Sequence, residues 1–230
     1  MAPDRAPARP ATLDGDERFV AYVAHELRTP IAVQLALVEA ALSDPDADPA
    51  AFRAMAKDVA ASCEQQQRLI DALSQLTLGR RGLIRHEPVD IAATVGQALR
   101  AHDLGEFQTI VALKPARTTG DPVLIQRLAA NLISNAAQHN FTRGRIEVET
   151  RTEKQHAALC IANTGPLIPA TELARLFEPF QRLGAQPLPC GGGFGLGLAI
   201  VRAIADAHHA TITPHARADG GLKLDVRFPR

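Results

Sequence analysis

The stretch His25-Glu26-Leu27-Arg28-Thr29-Pro30-Ile31-Ala32 carries more information than any other part of the chain. It sets an imidazole beside a carboxylate, a hydroxyl one helical turn further on, and a proline directly after that hydroxyl. A neutral imidazole nitrogen is a nucleophile at neutral pH, and a neighbouring carboxylate orients it and raises its basicity. Thr29 lies four residues after His25 and so shares its face of a helix. Pro30 has no N–H to donate and crowds the carbonyl of Glu26, which bends the helix beside the histidine. A lone histidine on an amphipathic helix is usually an ordinary surface residue. Four polar choices and a proline coinciding here favour a reactive one.

Outward from this segment the apolar positions run Val20, Val23, Leu27, Ile31, Leu35, Val38 and Leu42, in steps of three and four. Turn formers break the pattern at Ser43-Asp44-Pro45-Asp46-Ala47-Asp48-Pro49. The rhythm resumes at Phe52, Met55, Val59, Ser62, Gln66, Leu69, Leu73 and Leu76, and fades at Gly79-Arg80-Arg81-Gly82. The spacing predicts an antiparallel helical hairpin with one apolar stripe per helix. Two helices cannot hide both stripes, so pairing two hairpins into a four-helix dimer is the natural solution. His25 falls off the seam, between Val23 and Leu27, and faces outward.

Beyond Arg81 the texture changes. Asp90–Ala101 reads as a helix and Phe107–Leu113 as a strand. Asp121–Asn140 reads as a long helix, with Asp121 as its cap and Pro122 in the first turn. Arg145–Thr152 and Ala157–Ala162 read as strands, Leu196–Ala207 as a glycine-opened helix, and Thr211–Ala216 with Leu222–Phe228 as a hairpin through Asp219-Gly220-Gly221. Mixed strands with intervening helices predict an α/β sandwich with helices on one face of the sheet. The expected divisions are a disordered leader over residues 1–15, a helical domain over 16–80 and a second domain over 81–230.

Composition excludes several classes. Hydrophobic residues are 46% of the 230, enough for a globular core. Lys and Arg total 25, as do Asp and Glu, so no net field draws the chain to nucleic acid. Aromatic residues are 4%, with no Trp, too few for a base-stacking platform. Cys63, Cys160 and Cys190 are far apart and odd in number, which fits reduced thiols better than disulfides or a zinc site. No run approaches the ~20 apolar residues of a membrane helix. Met1–Pro10 lacks the apolar core of a signal peptide. The chain is expected to be soluble.

The second domain holds four further constellations. Asn131 and Asn135 are four apart with His139 a turn on, all on one stripe of the long helix, opposite Ile125, Leu128, Leu132 and Ala136. Two carboxamides on one face suit a hard cation such as Mg²⁺, though a polar exposed face explains the pair equally well. Asn163-Thr164-Gly165-Pro166 follows a strand, where the oxygen of Asn163 can accept from an adenine amino group; alone it reads as a common turn. Leu176-Phe177-Glu178-Pro179-Phe180-Gln181-Arg182 sets two aromatics and a cation before a Pro/Gly-rich stretch, Gly184–Pro189, that reads as a lid. Gly191-Gly192-Gly193-Phe194-Gly195-Leu196-Gly197-Leu198 leads into a helix whose N-terminal N–H groups and glycines suit a phosphate. It has neither the strand-first dinucleotide fingerprint nor the Lys of a P-loop.

Taken in order, these segments resemble the catalytic core of the sensor histidine kinases of bacterial two-component systems, over about residues 17–230. His25–Pro30 is similar to the phospho-acceptor box, Asn131–Ala136 with His139 to the asparagine box, Asn163–Pro166 to the first glycine box, Phe177–Phe180 to the phenylalanine box and Gly193–Leu198 to the second glycine box. The chain departs from the pattern in three places. The usual adenine-reading Asp is Asn163, which keeps an acceptor oxygen and loses the charge. Leu167 stands where a second glycine is usual. Gln138 occupies a position often basic, for which Arg182 is the candidate replacement.

The resemblance implies an α+β protein: an antiparallel helical hairpin forming a dimeric four-helix bundle, followed by an α/β sandwich ATP-binding domain. It implies ATP and Mg²⁺ as cofactors, Mg²⁺ on Asn135 with Asn131 in support. His139, Asn163, Gly165, Arg182, Gly193, Gly195, Gly197 and Leu198 would line the nucleotide site under a lid over 183–192. The γ-phosphoryl group would pass to His25, with Glu26 as general base, and then to an aspartate of a response-regulator receiver domain. Thr29 resembles the residue that positions water when such proteins dephosphorylate that partner. The expected setting is the cytoplasm, either free or as the cytoplasmic part of a membrane-bound sensor, as a homodimer without nucleic acid. Two alternatives share the residues: a degenerate kinase serving as a nucleotide-binding signalling scaffold, and an ATPase or serine-kinase module with no histidine acceptor.

Overall fold

A computed structural model of the protein describes residues 12–43, 48–82, 85–181 and 194–230. The chain divides into two compact units, Met1–Ile70 and Asp71–Arg230. The division falls ten residues before the 80/81 boundary expected from the sequence pattern, because the last turns of the second helix pack with the second unit. There the backbone of Gly79 lies so close to Ala203 that a Cβ on it would sit 3.0 Å from the Ala203 methyl.

The first unit consists of α1 (Thr12–Ser43) and most of α2 (Pro49–Arg80), 32 residues each. Helix α1 begins inside the expected 1–15 leader: Thr12 to Gly15 are helical, and the earlier residues lie outside those described. Asp48 accepts the Ala50 N–H at 3.0 Å, and Pro49, which has no N–H to satisfy, occupies the first helical position. Gln34 Nε2 on α1 approaches Cys63 Sγ on α2 at 3.6 Å. The expected stripe of α2 is followed closely: Met55, Val59, Ser62, Gln66 and Leu73 are half-buried and Leu69 and Leu76 buried, with only Phe52 open. On α1, Val23, Leu27 and Val38 are half-buried, but Val20, Ile31, Leu35 and Leu42 remain 65%, 52%, 57% and 76% exposed. Helix α1 therefore leaves four of the seven positions of its apolar stripe in water.

The second unit is a two-layer sandwich. Strands β2 (Gln108–Leu113), β4 (Arg145–Glu153), β5 (His156–Asn163), β6 (Thr211–Ala216) and β7 (Leu222–Pro229) form a sheet in the order β2-β4-β5-β7-β6. Only the β2–β4 pair is parallel. Registered rows give one face to Ile146, Val148, Leu159, Ile161, Leu224, Val226 and Phe228, all buried against α3 (Ile91–Arg100), α4 (Pro122–Gln138) and α5 (Gly197–Ala207). The other face is ionic. Glu153 meets Arg151 at 2.7 Å and Arg227 at 2.9 Å, while Asp225 lies 3.5 Å from His215 and 3.7 Å from both Arg151 and Lys223.

Two strands absent from the sequence reading, β1 (Glu87–Asp90) and β3 (Arg117–Gly120), pair antiparallel. Each has four residues, one includes Pro88, and neither shows a run of alternating apolar positions. The long helix stops at Gln138, not Asn140, with His139 already off helical geometry (φ −102°, ψ 22°). A 3₁₀ helix over Ala170–Phe177 also had no sequence signal.

Helix α4 is pinned at its start. The Asp121 carboxylate accepts from the N–H groups of Val123 and Leu124, as the cap reading predicts. The backbone N–H of Asp121 itself donates to Nε2 of His208, 3.0 Å away at the end of α5. Since Nε2 accepts, the ring proton sits on Nδ1, which donates to the Ile204 carbonyl at 2.8 Å. Burial pushes the His208 pKa below the usual 6.5. A Cβ on Gly120 would lie 2.7 Å from Nε2, so Gly120 is what lets the ring in.

The unfolded chain takes a proton on this imidazole that the fold refuses. Stability is therefore full above about pH 6.5 and falls as pH drops through that value toward the lower folded pKa. Urea unfolding at pH 7.5 and 5.5 is expected to show that loss, and to show it reduced in His208→Gln. Gly120→Ala, which overfills the same spot, is expected to cost about 1–3 kcal/mol at either pH.

Candidate functional site

The reactive segment lies in the middle of α1, with His25 and Thr29 exposed and Glu26 half-buried. Pro30 deprives the Glu26 carbonyl of its N–H partner, and the Thr29 hydroxyl donates to the His25 carbonyl at 3.2 Å. Both features loosen the helix at this turn. An open imidazole, a neighbouring carboxylate and a hydroxyl one turn away suit attack by the ring on an electrophile arriving from solvent. His25 is thus on the outside, as its place off the apolar seam requires.

In the second unit α4 presents Asn131 and Asn135 one turn apart, both half-buried. Asn131 Nδ2 donates to the Arg127 carbonyl at 2.9 Å and to Gln75 Oε1 at 3.3 Å. Its Oδ1 lies toward Gly197 at the start of α5, where an added Cβ would stand 3.5 Å away. Asn135 makes no side-chain hydrogen bond to any described residue, so its carboxamide oxygen remains available. Neutral oxygen donors of this kind fit Mg²⁺, which takes few protein ligands and completes its shell with phosphate and water. His139 does not continue the stripe as helix; it is the C-cap, with an exposed ring. Its backbone carbonyl contributes instead, accepting from Asn163 Nδ2 at 3.4 Å.

Register puts Asn163 at the end of β5, opposite Ile146 on β4 and Leu222 on β7, in the row that faces the helices. The side chain is 5% exposed. Nδ2 donates to the Thr164 carbonyl at 2.8 Å as well as to His139. Two backbone carbonyls on one end of the amide require that end to be the NH₂, which leaves Oδ1 as a neutral acceptor. Gly165 is needed for packing: a Cβ there would strike the His139 carbonyl and approach Gly221. The turn glycines Gly220 and Gly221, with φ of +91° and +96°, close over this segment, and the Gly221 N–H donates to Pro166 O at 3.0 Å. The hairpin turn seen in the sequence is therefore also a wall of the site.

On the far side, the segment after the 3₁₀ helix docks against the entry to α5. Phe180 N–H donates to Gly195 O at 2.9 Å. Gly195, at φ +69°, lies so close to the Phe180–Gln181 backbone that a Cβ would fall 2.7 Å from the Gln181 carbonyl. Its lack of a side chain serves this docking, a role the phosphate reading of the glycines did not anticipate. Arg202 stacks on Phe177, 5.4 Å from the ring centre. Gly197 opens α5 next to Asn131, and no side chain caps the helix start. Leu198 is buried, so only its backbone can face a ligand. Arg182, Gly193 and the 183–192 lid lie outside the described residues. Sequence reasoning missed Gln75, Asn140 and His208; each acts through a tertiary partner, and none stands in a motif.

Two family models match. The phospho-acceptor domain of the His Kinase A family matches residues 16–82, and the histidine kinase-, DNA gyrase B- and HSP90-like ATPase family matches residues 120–230. Sensor protein CutS of Streptomyces coelicolor is 38% identical over 218 residues, covering 93% of this chain and 52% of that protein. The signal transduction histidine-protein kinase/phosphatase MprB of Mycolicibacterium vanbaalenii is 33% identical over 216 residues, covering 89% and 43%. The chain thus spans about half the length of the curated relatives it matches. Among solved structures, a mycobacterial sensor histidine kinase MprB aligns over 63% of this chain and 97% of its own, with TM-score 0.56 and 29% identity. Histidine kinase ThkA, solved in complex with the response regulator TrrA, aligns over 95% of this chain and 63% of its own, with TM-score 0.74 and 20% identity, a likeness of fold.

Gly195→Ala is expected to break the docking of the Phe177–Gln181 segment. Hydrogen exchange at the Phe180 amide would then rise by at least about tenfold, with the sheet amides unchanged.

Proposed function

The chain belongs to the sensor histidine kinases of two-component systems, and we propose that it phosphorylates itself on His25 with ATP and passes the phosphoryl group to an aspartate of a response regulator. The observation that carries this is the open His25 imidazole, inside a matched phospho-acceptor domain, on the same chain as a matched ATPase domain. An ATPase without a histidine acceptor has no use for the first, and no relative reported above is named as a scaffold.

In the proposed reaction a ring nitrogen of His25 attacks the γ-phosphorus. The N–P bond forms as the bond to the β,γ-bridging oxygen breaks, ADP leaves, and Glu26 takes the proton from the other ring nitrogen. Adenine would be read by Asn163, whose Oδ1 can accept from the 6-amino group. His139 and Gly165 shape that end of the cleft, while the open start of α5 at Gly197 and Leu198 supplies N–H groups for phosphate. Gly193, Gly195 and Arg182 complete the proposed phosphate end. Asn135 would hold Mg²⁺, with Asn131 behind it; when bound, the ion neutralises phosphate charge.

The phosphoryl group then moves to the regulator, and Thr29 would orient water for the reverse duty of dephosphorylating it. A second copy of this chain is the partner we propose for the open α1 row of Val20, Ile31, Leu35 and Leu42. We place the activity in the cytoplasm; no described helix is long and apolar enough to cross a membrane.

Incubation with γ-labelled ATP tests the reading. Acid-labile, base-stable label is expected on the parent and absent from His25→Gln, while nucleotide binding persists. Release of free phosphate without protein label would instead establish an ATPase, and binding without either product a scaffold. Thr29→Ala is expected to label normally but to lose most dephosphorylation of the regulator; an unchanged rate removes that role. Asn135→Ala is expected to lower the labelling rate at least about a hundredfold, consistent with loss of a group that places charge against phosphate.

A further inference from the structure

We infer that Asn140 and Thr164 form a positioning pair that sets the distance between the two walls of the nucleotide cleft, an inference that rests on the reading of that cleft given above. Asn140 stands two residues beyond the end of α4 and is half-buried. Its Oδ1 accepts from the Thr164 hydroxyl and from the Phe141 N–H at 2.9 Å, and its Nδ2 donates to the Arg145 carbonyl at 3.1 Å. The Thr164 hydroxyl oxygen in turn accepts from the Arg145 N–H at 2.8 Å, and the Thr164 N–H donates to Arg145 O at 3.0 Å. A closed ring of bonds thus joins the end of α4, the start of β4 and the turn after β5.

Gly144 is bare because a Cβ there would run into the Asn140 and Thr164 side chains. Directly before each of these two residues lies a group that would meet the base. Asn163 donates to the carbonyls of both Thr164 and His139, and His139 precedes Asn140. The pair therefore holds Asn163 at a set distance from α4, and so from Asn135, one helical turn before His139: the purine end and the metal end of one ligand must match that distance together. Neither Asn140 nor Thr164 needs to touch the ligand. A displacement of about 1 Å between groups that hold one substrate can cost up to about two orders of magnitude.

The test uses the full chain, ATP and inorganic tripolyphosphate, with self-phosphorylation as the rate. Thr164→Val keeps the shape and loses the hydroxyl, and Thr164→Ser keeps the hydroxyl. Thr164→Val and Asn140→Ala are expected to raise KM for ATP about tenfold with kcat within about twofold. Thr164→Ser is expected to restore the parent KM, and the double variant to be little worse than either single one, since both break the same ring. Competition by tripolyphosphate, which lacks the base, is expected to stay unchanged. A parent-like KM in Thr164→Val overturns the pair, as does a parallel loss of tripolyphosphate binding, which would mean general loosening. Because Val matches Thr in shape, the Ser/Val comparison stands even where Asn140→Ala fails to fold. Absence of ATP binding by the parent sinks the nucleotide reading itself, and the pair with it.

Discussion

Helix α4 has to lie at one height over the sheet, and hydrogen bonds at its two ends set that height. At the start, the Asp121 N–H reaches the buried ring of His208, 3.0 Å away on α5. At the finish, the His139 carbonyl receives Asn163, and Asn140 is bonded to Thr164 and Arg145. Between them the underside of the helix is a row of aliphatic side chains, Leu124, Ile125, Leu128, Leu132 and Ile133, all buried. Aliphatic contact is non-directional and tolerates sliding, whereas a hydrogen bond weakens steeply with distance and angle. Burial thus supplies the attraction and the polar ends choose the register. The two candidate cation ligands ride on the upper side of this helix, so their place follows from those ends.

Close backbone approach is the second constraint, and it explains more of the glycines than phosphate does. Gly120 admits His208, Gly144 admits the Asn140–Thr164 bridge, Gly165 sits under His139, and Gly195 meets the Phe180–Gln181 backbone. Each removes a Cβ where two segments must touch. A Gly-rich sequence beside a nucleotide site therefore has two physical meanings: room for an anion and room for the chain itself. In this protein Gly195 and Gly165 have the second meaning in the fold, whatever ligand binds.

The helical unit follows another logic. Its polar bonds are local, such as Thr29 to the His25 carbonyl, and its cohesion depends on an apolar stripe that one hairpin covers only in part. Each exposed Leu or Ile withheld from water would contribute about 1.5–3 kcal/mol. Such a surface favours association, and it leaves His25, off that stripe, exposed.

Much of this was legible in the sequence, for identifiable reasons. The helical hairpin is a period of three and four, the start of α4 is an Asp-Pro cap, and the β6–β7 turn is an Asp-Gly-Gly; each is a local preference that neighbours in sequence impose on one another. His25 off the seam and Asn131 with Asn135 on one face follow from helix geometry alone. The strands β1 and β3 were not legible, because four residues carry no period and only their mutual pairing makes them strands. Nor was the 3₁₀ helix that ends at Phe177, or the early end of α4.

What the sequence by itself determined is which elements form and which faces they present, since those depend on spacing along the chain. What only the tertiary structure decided is the orientation of the Asn163 amide, the ring of bonds through Asn140 and Thr164, the tautomer of His208 and the reason Gly195 must be bare. Each depends on atoms that are distant in sequence, and a hydrogen bond or a steric limit exists only once folding has brought both partners to the same place.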